Sequence, residues 1–404
     1  MAGNWESETR NWEDITENWE DAFSSAAGYV TSIQSVSIAV TAGNSTNTAT
    51  ITSVDTDTSF LIFQGQSCDA TTANDSSDVF TRITRTNATT VTATRSGTTG
   101  ATTINAVVIE GTANLVDTVQ FGTVTIAASS ATDTVTSVDT ARSSLFWLGQ
   151  SRATSSTILT SHGTIQLTNA TTITGDINNP DGAVLGYVLV EFQDAAIESI
   201  QEINDSFSSN TDSTHAITLS AVTEANTLLA YKGTITSGAP NDFMHAELTS
   251  TTNVDLIRGG AASVFHTSRF TVIEFVSGVL ESIQRGVATI PTSTLTKSTD
   301  ITAVDLDYAF INYTGITSSY SGYDGQAGFF SRWEFTDSDT IIGTRDAAYA
   351  SATGMGYEIV QFSTGAAPAG IFSPVAQGMG QQFIGFNDGT IDVTMHKIET
   401  GISA

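Results

Sequence analysis

The groups of this chain that could hold a metal, attack a carbonyl or carry a proton are five histidines, one cysteine and 42 carboxylates. The histidines (His162, His215, His245, His266, His396) are scattered, with no His-Glu-x-x-His pair and no second ligand at helical spacing. Surface sites or hydrogen-bonded strand positions are expected for them. Cys68 stands alone, which excludes an intrachain disulfide and leaves it the role of a small buried hydrophobe. There is no Gly-x-Ser-x-Gly elbow, phosphate-binding loop or dinucleotide fingerprint. Two carboxylates facing each other across a groove could hydrolyse a surface polysaccharide. The Asp-rich stretches Asn74 to Asp78 (NDSSD) and Thr336 to Thr340 (TDSDT) offer oxygen ligands of the kind Ca²⁺ takes. Neither matches an EF-hand loop or a glycine-rich nonapeptide, so solvated turns are expected. The chain therefore reads as a non-enzyme without metal or cofactor.

A binding chemistry is better marked. Asn-Trp-Glu recurs at Asn4, Asn11 and Asn18, so Trp5, Trp12 and Trp19, three of the five tryptophans, stand seven residues apart in an acidic stretch. That spacing places the indoles on one seam of a short helix. It suits equally an extended peptide that seats each indole in a pocket of another protein, its carboxylates meeting basic rim residues. A plain acidic tail is the third reading. Residues 1–24 are expected to be an attachment segment, helical or extended.

Charge narrows the partners. With 42 acidic against 14 basic residues the net charge is −28, and only Lys232, Lys297 and Lys397 are lysines. Such a surface repels nucleic acid and anionic membranes, so neither is an expected partner. No 18-residue apolar run and no secretory signal occurs, and a soluble protein is expected.

The elements that must position these groups are strands. Beyond residue 24 short alternating runs of Thr, Val and Ile are punctuated by Gly, Asn and Asp. Three boxes recur four times. The first is Ser32-Ile33-Gln34, Thr118-Val119-Gln120, Ser199-Ile200-Gln201 and Ser282-Ile283-Gln284. The second sets a valine eleven residues before a glycine: Val54 and Gly65, Val138 and Gly149, Val222 and Gly233, Val304 and Gly315. Two residues before each glycine stands a ring, Phe63, Trp147, Tyr231 or Tyr313, expected to fill equivalent core sites before a turn. The third box is an apolar strand ending at Glu110, Glu191, Glu274 or Gln361. The stretch between the second and third boxes, including TNATT at Thr86 to Thr90 and Thr168 to Thr172, is where recognition is expected.

The reading is all-β: four tandem β-sandwich repeats, Ig-like or jelly-roll-like, strung as beads over 25–116, 117–198, 199–281 and 282–404. A continuous β-solenoid is the competing architecture. The last module carries a C-terminal extension with a hairpin turn at Asn387-Asp388-Gly389. The sequence Ser282 to Gly286 (SIQRG), followed by the strand Ile301 to Asp305 and an aromatic-x-Gly step, resembles repeated β-modules in virion structural proteins of tailed bacteriophages. Only the fourth unit has the full motif, and the third replaces Val-Asp with Val222-Thr223.

The resemblance implies a virion component with no catalytic residues to carry over, such as a fibre or spike of tail or capsid. Its partners would be other virion proteins (capsid, portal or tail) and a host glycan or receptor. Assembly in the host cytoplasm and release in the extracellular particle would reconcile an outward-facing composition with the missing signal. Open sheet edges favour a homo-oligomer, a trimer by analogy. The alternative function is a receptor- or polysaccharide-binding adhesin, with glycan hydrolysis in the last module.

Overall fold

Runs rich in Thr, Val and Ile become strands because β-branched side chains suit a pleated, half-buried surface. The computed structural model describes residues 28–69, 76–153, 160–180, 182–207, 212–236, 240–260, 267–318, 330–346 and 351–364. Module 1 contains β1 (Val30–Val40), β2 (Thr46–Thr50), β3 (Ser59–Cys68), β4 (Arg82–Asn87), β5 (Thr90–Thr94) and β6 (Thr102–Gly111), with a one-turn helix α1 (Ser76–Val79). Module 2 repeats the pattern with β7 (Val116–Ile126), β8 (Ser130–Thr134), β9 (Ser143–Arg152), β10 (Gly163–Asn169), β11 (Thr172–Ile177) and β12 (Ala183–Phe192). Module 3 has β13 (Ile197–Ser206), β14 (Thr214–Thr218), β15 (Thr227–Ile235), β16 (Met244–Ser250), β17 (Asn253–Arg258) and β18 (Thr267–Phe275). Module 4 has β19 (Leu280–Ile290), β20 (Thr296–Asp300), β21 (Ala309–Ser318), β22 (Arg332–Asp337), β23 (Thr340–Thr344) and β24 (Thr353–Phe362).

Each module splits its six strands into two antiparallel triplets, and each triplet is completed by a neighbour. The four six-stranded sheets are β2-β5-β4-β9-β12-β7, β8-β11-β10-β15-β18-β13, β14-β17-β16-β21-β24-β19 and β20-β23-β22-β3-β6-β1. The last joins module 4 back to module 1, so the repeats close into a four-part, propeller-like all-β ring. The all-β repeat fold is as the sequence indicates, whereas the separate beads are not: no module owns a complete sheet.

The glycine of the second box makes this sharing feasible. The inner strands meet through one pair at each junction: Arg82 with Gly149, Thr164 with Gly233, His245 with Gly315, and Arg332 with Gly65. These four glycines have φ of 84°, 99°, 128° and 98°. A Cβ on any of them would lie 2.2 Å from a carbonyl oxygen of the adjoining strand (Thr81, Gly163, Met244 or Ser331). The expected turn after the aromatic is therefore a bulge inside the strand, placed where the next module's backbone comes closest.

Burial follows position. The inner strands β3, β9 and β21 are buried at every residue, being covered on both faces, while the edge strand β1 alternates over Val36, Ile38 and Val40. One apolar core runs through modules 1, 2 and 4 and along the axis. Residues such as Phe207, Leu248, Val254 and Phe270 form a second core inside module 3.

Candidate functional site

Phe63, Trp147, Tyr231 and Tyr313 point to the centre of the ring from the middle of the four inner strands. All are buried, with ring centroids at 5.0, 5.9, 5.3 and 5.4 Å around a closed circuit and interplanar angles of 80° to 87°. Each edge meets the next face, the arrangement that the ring quadrupole favours. Burial raises the pKa of the Tyr231 and Tyr313 hydroxyls, so both stay protonated.

A second layer of rings lies beside the first. Phe80, His162, Phe243 and Phe330 form another closed circuit at 5.8, 5.3, 5.8 and 5.7 Å. Each precedes by two residues the partner of a junction glycine, an offset that could have revealed the layer in the sequence. His162 is the odd member. Its Nδ1 lies 2.8 Å from the Thr234 carbonyl, and burial holds its pKa down at about 4, the carbonyl pulling the other way. Two small cavities flank these rings, so the axis is filled with side chains.

The three sequence boxes meet at one end of the ring, called here the clasp end. Gln34, Gln120, Gln201 and Gln284 each donate to the carbonyl of Thr52, Thr136, Ser220 or Thr302, at 3.2, 3.1, 3.0 and 2.8 Å. Each also accepts that residue's N–H, at 2.7, 2.8, 2.8 and 2.7 Å. Glu110, Glu191, Glu274 and Gln361 accept the N–H of Asp55, Asp139, Thr223 and Asp305, at 2.7, 3.0, 2.6 and 3.1 Å. In the first three, the other carboxylate oxygen accepts the hydroxyl of Ser32, Thr118 or Ser199. The boxes are thus one hydrogen-bonded clasp repeated four times.

The Asp of Val-Asp accepts the N–H two residues on in modules 1, 2 and 4, a local Asx turn; module 3 replaces it with a 3₁₀ turn over Glu224–Asn226. The remaining letters of SIQRG also have structural partners. Gly286 leaves room for the Tyr357 hydroxyl, 2.8 Å from where a Cβ would sit, and Arg285 pairs with buried Glu358 at 2.9 Å while donating to the Glu224 carbonyl of module 3 at 2.9 Å.

Connections at the clasp end have one length in every module. The second-to-third strand links hold eight residues (51–58, 135–142, 219–226, 301–308), the fourth-to-fifth hold two, and the module-to-module links hold four (112–115, 193–196, 276–279). TNATT belongs here, as the two-residue hairpin in which Asn87 or Asn169 accepts the N–H of Thr89 or Thr171 at 2.9 Å. TNATT is thus a tight turn of fixed length.

At the opposite end, the loop end, lengths diverge. First-to-second strand links span 41–45, 127–129, 207–213 and 291–295; third-to-fourth links span 69–81, 153–162, 236–243 and 319–331; fifth-to-sixth links span 95–101, 178–182, 259–266 and 345–352. A buried arginine pins the loop bases in each module. Arg95 donates to the carbonyls of Thr41 (3.1 Å), Asn44 (3.1 Å) and Asp78 (2.9 Å), and to Gly100, reaching all three loops of module 1. Arg345 donates to Pro291 (2.7 Å), Thr294 (2.6 Å) and Ser351 (3.1 Å). Arg258 reaches the Asp212 carbonyl at 2.8 Å, and Arg152, from a different strand, reaches Ser161 at 3.2 Å and Asn179 at 2.6 Å. The sequence reading missed these arginines; Thr94-Arg95 and Thr344-Arg345 at the end of the fifth strand were the available signal.

The two ends also differ in charge. Among the described residues exposed carboxylates collect at the clasp end, including Asp55, Asp57, Asp139, Glu224, Asp305, Asp307 and Asp339, whereas at the loop end Asp69 and Asp212 are exposed and the links 41–45, 127–129 and 291–295 contain no charged residue. Of the Asp-rich stretches, Asp78 is buried on α1 and accepts the Thr99 N–H at 2.8 Å, so it is not a solvated turn. The other forms an exposed hairpin in which Asp337 accepts the Asp339 N–H at 3.2 Å. Among the described residues no group of three or more His, Cys, Asp or Glu could hold a metal. His215 pairs with Asp205 at 3.3 Å and His245 with Glu247 at 3.2 Å. Cys68 is buried. Trp5, Trp12, Trp19, His266, His396 and the C-terminal hairpin fall outside the described residues.

No protein-family model matches the sequence, and comparison with curated proteins and with solved structures gives no match.

Proposed function

We propose that the chain is a non-enzymatic structural protein of a virus particle, a fibre- or spike-type appendage of tail or capsid, attached through its N-terminus and presenting its loop end outward. One observation carries this reading: the described strands enter the ring at Val30 and leave it at Phe362, and both points lie at the clasp end, opposite every loop of variable length. A body held at one end and varied at the other is suited to attachment and display, as in other scaffolds that carry recognition on loops. The Trp5, Trp12 and Trp19 segment would then dock in capsid, portal or tail proteins. The loop end would meet a host glycan or receptor, which is also the face an adhesin would use.

Self-association, expected as a trimer, would have to come from the outer strands, since the inner edges are closed within the chain. Replacing Trp5, Trp12 and Trp19 together with Ala should leave the ring folded but the protein missing from purified particles. Normal incorporation would place the anchor elsewhere. A glycan array, a reducing-sugar assay and mass photometry test ligand, hydrolysis and oligomeric state in turn.

A further inference from the structure

We propose that the space between the two aromatic layers binds one ordered water molecule, held by Trp147, His162 and Ser331. A cavity of about 10 Å³ lies there, lined by these three side chains, Gln66 and neighbouring rings, which is the room one water needs. The indole Nε1 of Trp147 and the Oγ of Ser331 are buried without a hydrogen-bond partner among the described residues, and both residues line the cavity. Gln66 is already engaged, donating to the Val79 carbonyl at 3.0 Å and accepting the Thr81 N–H at 3.3 Å.

His162 supplies the acceptor. Its Nδ1 lies 2.8 Å from the Thr234 carbonyl oxygen and 3.5 Å from the Thr234 N–H; the shorter contact is the stronger and requires Nδ1 to carry the ring proton, which leaves a neutral imidazole with a lone pair on Nε2. A water accepting from Trp147 and donating to His162 and Ser331 makes three bonds, the usual number for a buried water. This accounts together for two features that are otherwise separate. Module 2 has a histidine where the other modules have phenylalanine, and its inner ring is the only one of the four with an N–H.

The test is a crystal structure of the full chain, at a resolution that shows ordered water, for the wild type and for His162→Phe, with Ser331→Ala as a second variant should the first fail to fold. The expected result is one density peak between the layers, within hydrogen-bond distance of all three groups, lost or weakened in the variant. In solution, the number of long-lived internal waters measured by magnetic relaxation dispersion should fall by one. A dry cavity in the wild type, or a peak unaffected by both substitutions, would overturn the proposal.

Discussion

The clasp end and the loop end are made from the same 24 strands, yet they are held in different ways. At the clasp end, side chains repeated in sequence bond to the backbone of loops with fixed length. At the loop end, one buried arginine per module holds the loop bases by their carbonyls, which constrains neither the length nor the sequence beyond them. A carbonyl is present whatever residue bears it, so this anchoring tolerates variation that the clasp does not. Rigidity at the base with freedom above it is what a recognition surface on a repeated scaffold requires.

Two glycines, one inside an inner strand and one in a loop-end link, give the sharpest contrast. Gly65 (φ 98°) and Gly43 (φ 88°) share a backbone conformation, but a Cβ at Gly65 meets Ser331 at 2.2 Å while one at Gly43 meets nothing within 4 Å. Gly65→Val should destabilise the ring by about 4 kcal/mol or more, and Gly43→Ala by only about 1 kcal/mol. Urea denaturation measures both. Next in size, Arg95→Met strands several buried carbonyls and should cost about 3 kcal/mol, with Arg95→Lys no rescue because an ammonium cannot reproduce the guanidinium fork.

The axis gives a pH dependence. His162 has its folded-state pKa lowered from 6.5 to about 4, so the unfolded chain binds the extra proton first. Its contribution to stability is present above pH 6.5 and is lost as pH falls toward about 4, a span of roughly 3 kcal/mol. His162→Phe should remove that slope from a plot of stability against pH. A smaller effect is expected at the clasp. Gln34→Ala, which removes two bonds at a half-exposed site, should cost about 1 kcal/mol. Inserting two residues into 51–58 should cost more than the same insertion into 41–45, where the close cost of a longer loop is only a few tenths of a kcal/mol.

Much of the fold was legible because it repeats. The spacing of Val, aromatic and Gly reveals four units, and the rings do come together as one layer. The sequence could not show what lies beside Gly65 or Gly149, because the neighbouring strand belongs to another module and no local pattern records pairing between modules. The same limit hid the layer of Phe80, His162, Phe243 and Phe330. The Gln and Glu boxes were legible as repeats, but their bonding to the backbone of the second-to-third strand link joins residues far apart in the chain, which spacing alone does not record. The loop-end arginines were hidden for another reason: a charged residue after a strand ordinarily reads as solvent-exposed, and only loop carbonyls brought to it by the fold, from all three loops for Arg95, make its burial favourable.

The central claim is that the four repeats are one closed unit joined from module 4 back to module 1. Equilibrium urea unfolding tests it most directly, with Trp5, Trp12 and Trp19 replaced by Phe and the two remaining indoles, Trp147 in module 2 and Trp333 in module 4, fluorinated and read as separate fluorine NMR signals of one protein. The account predicts one midpoint for both reporters, lowered equally by Gly65→Val at the junction of modules 4 and 1. Two separate midpoints, with Gly65→Val shifting the Trp333 signal and leaving that of Trp147 in place, would contradict it.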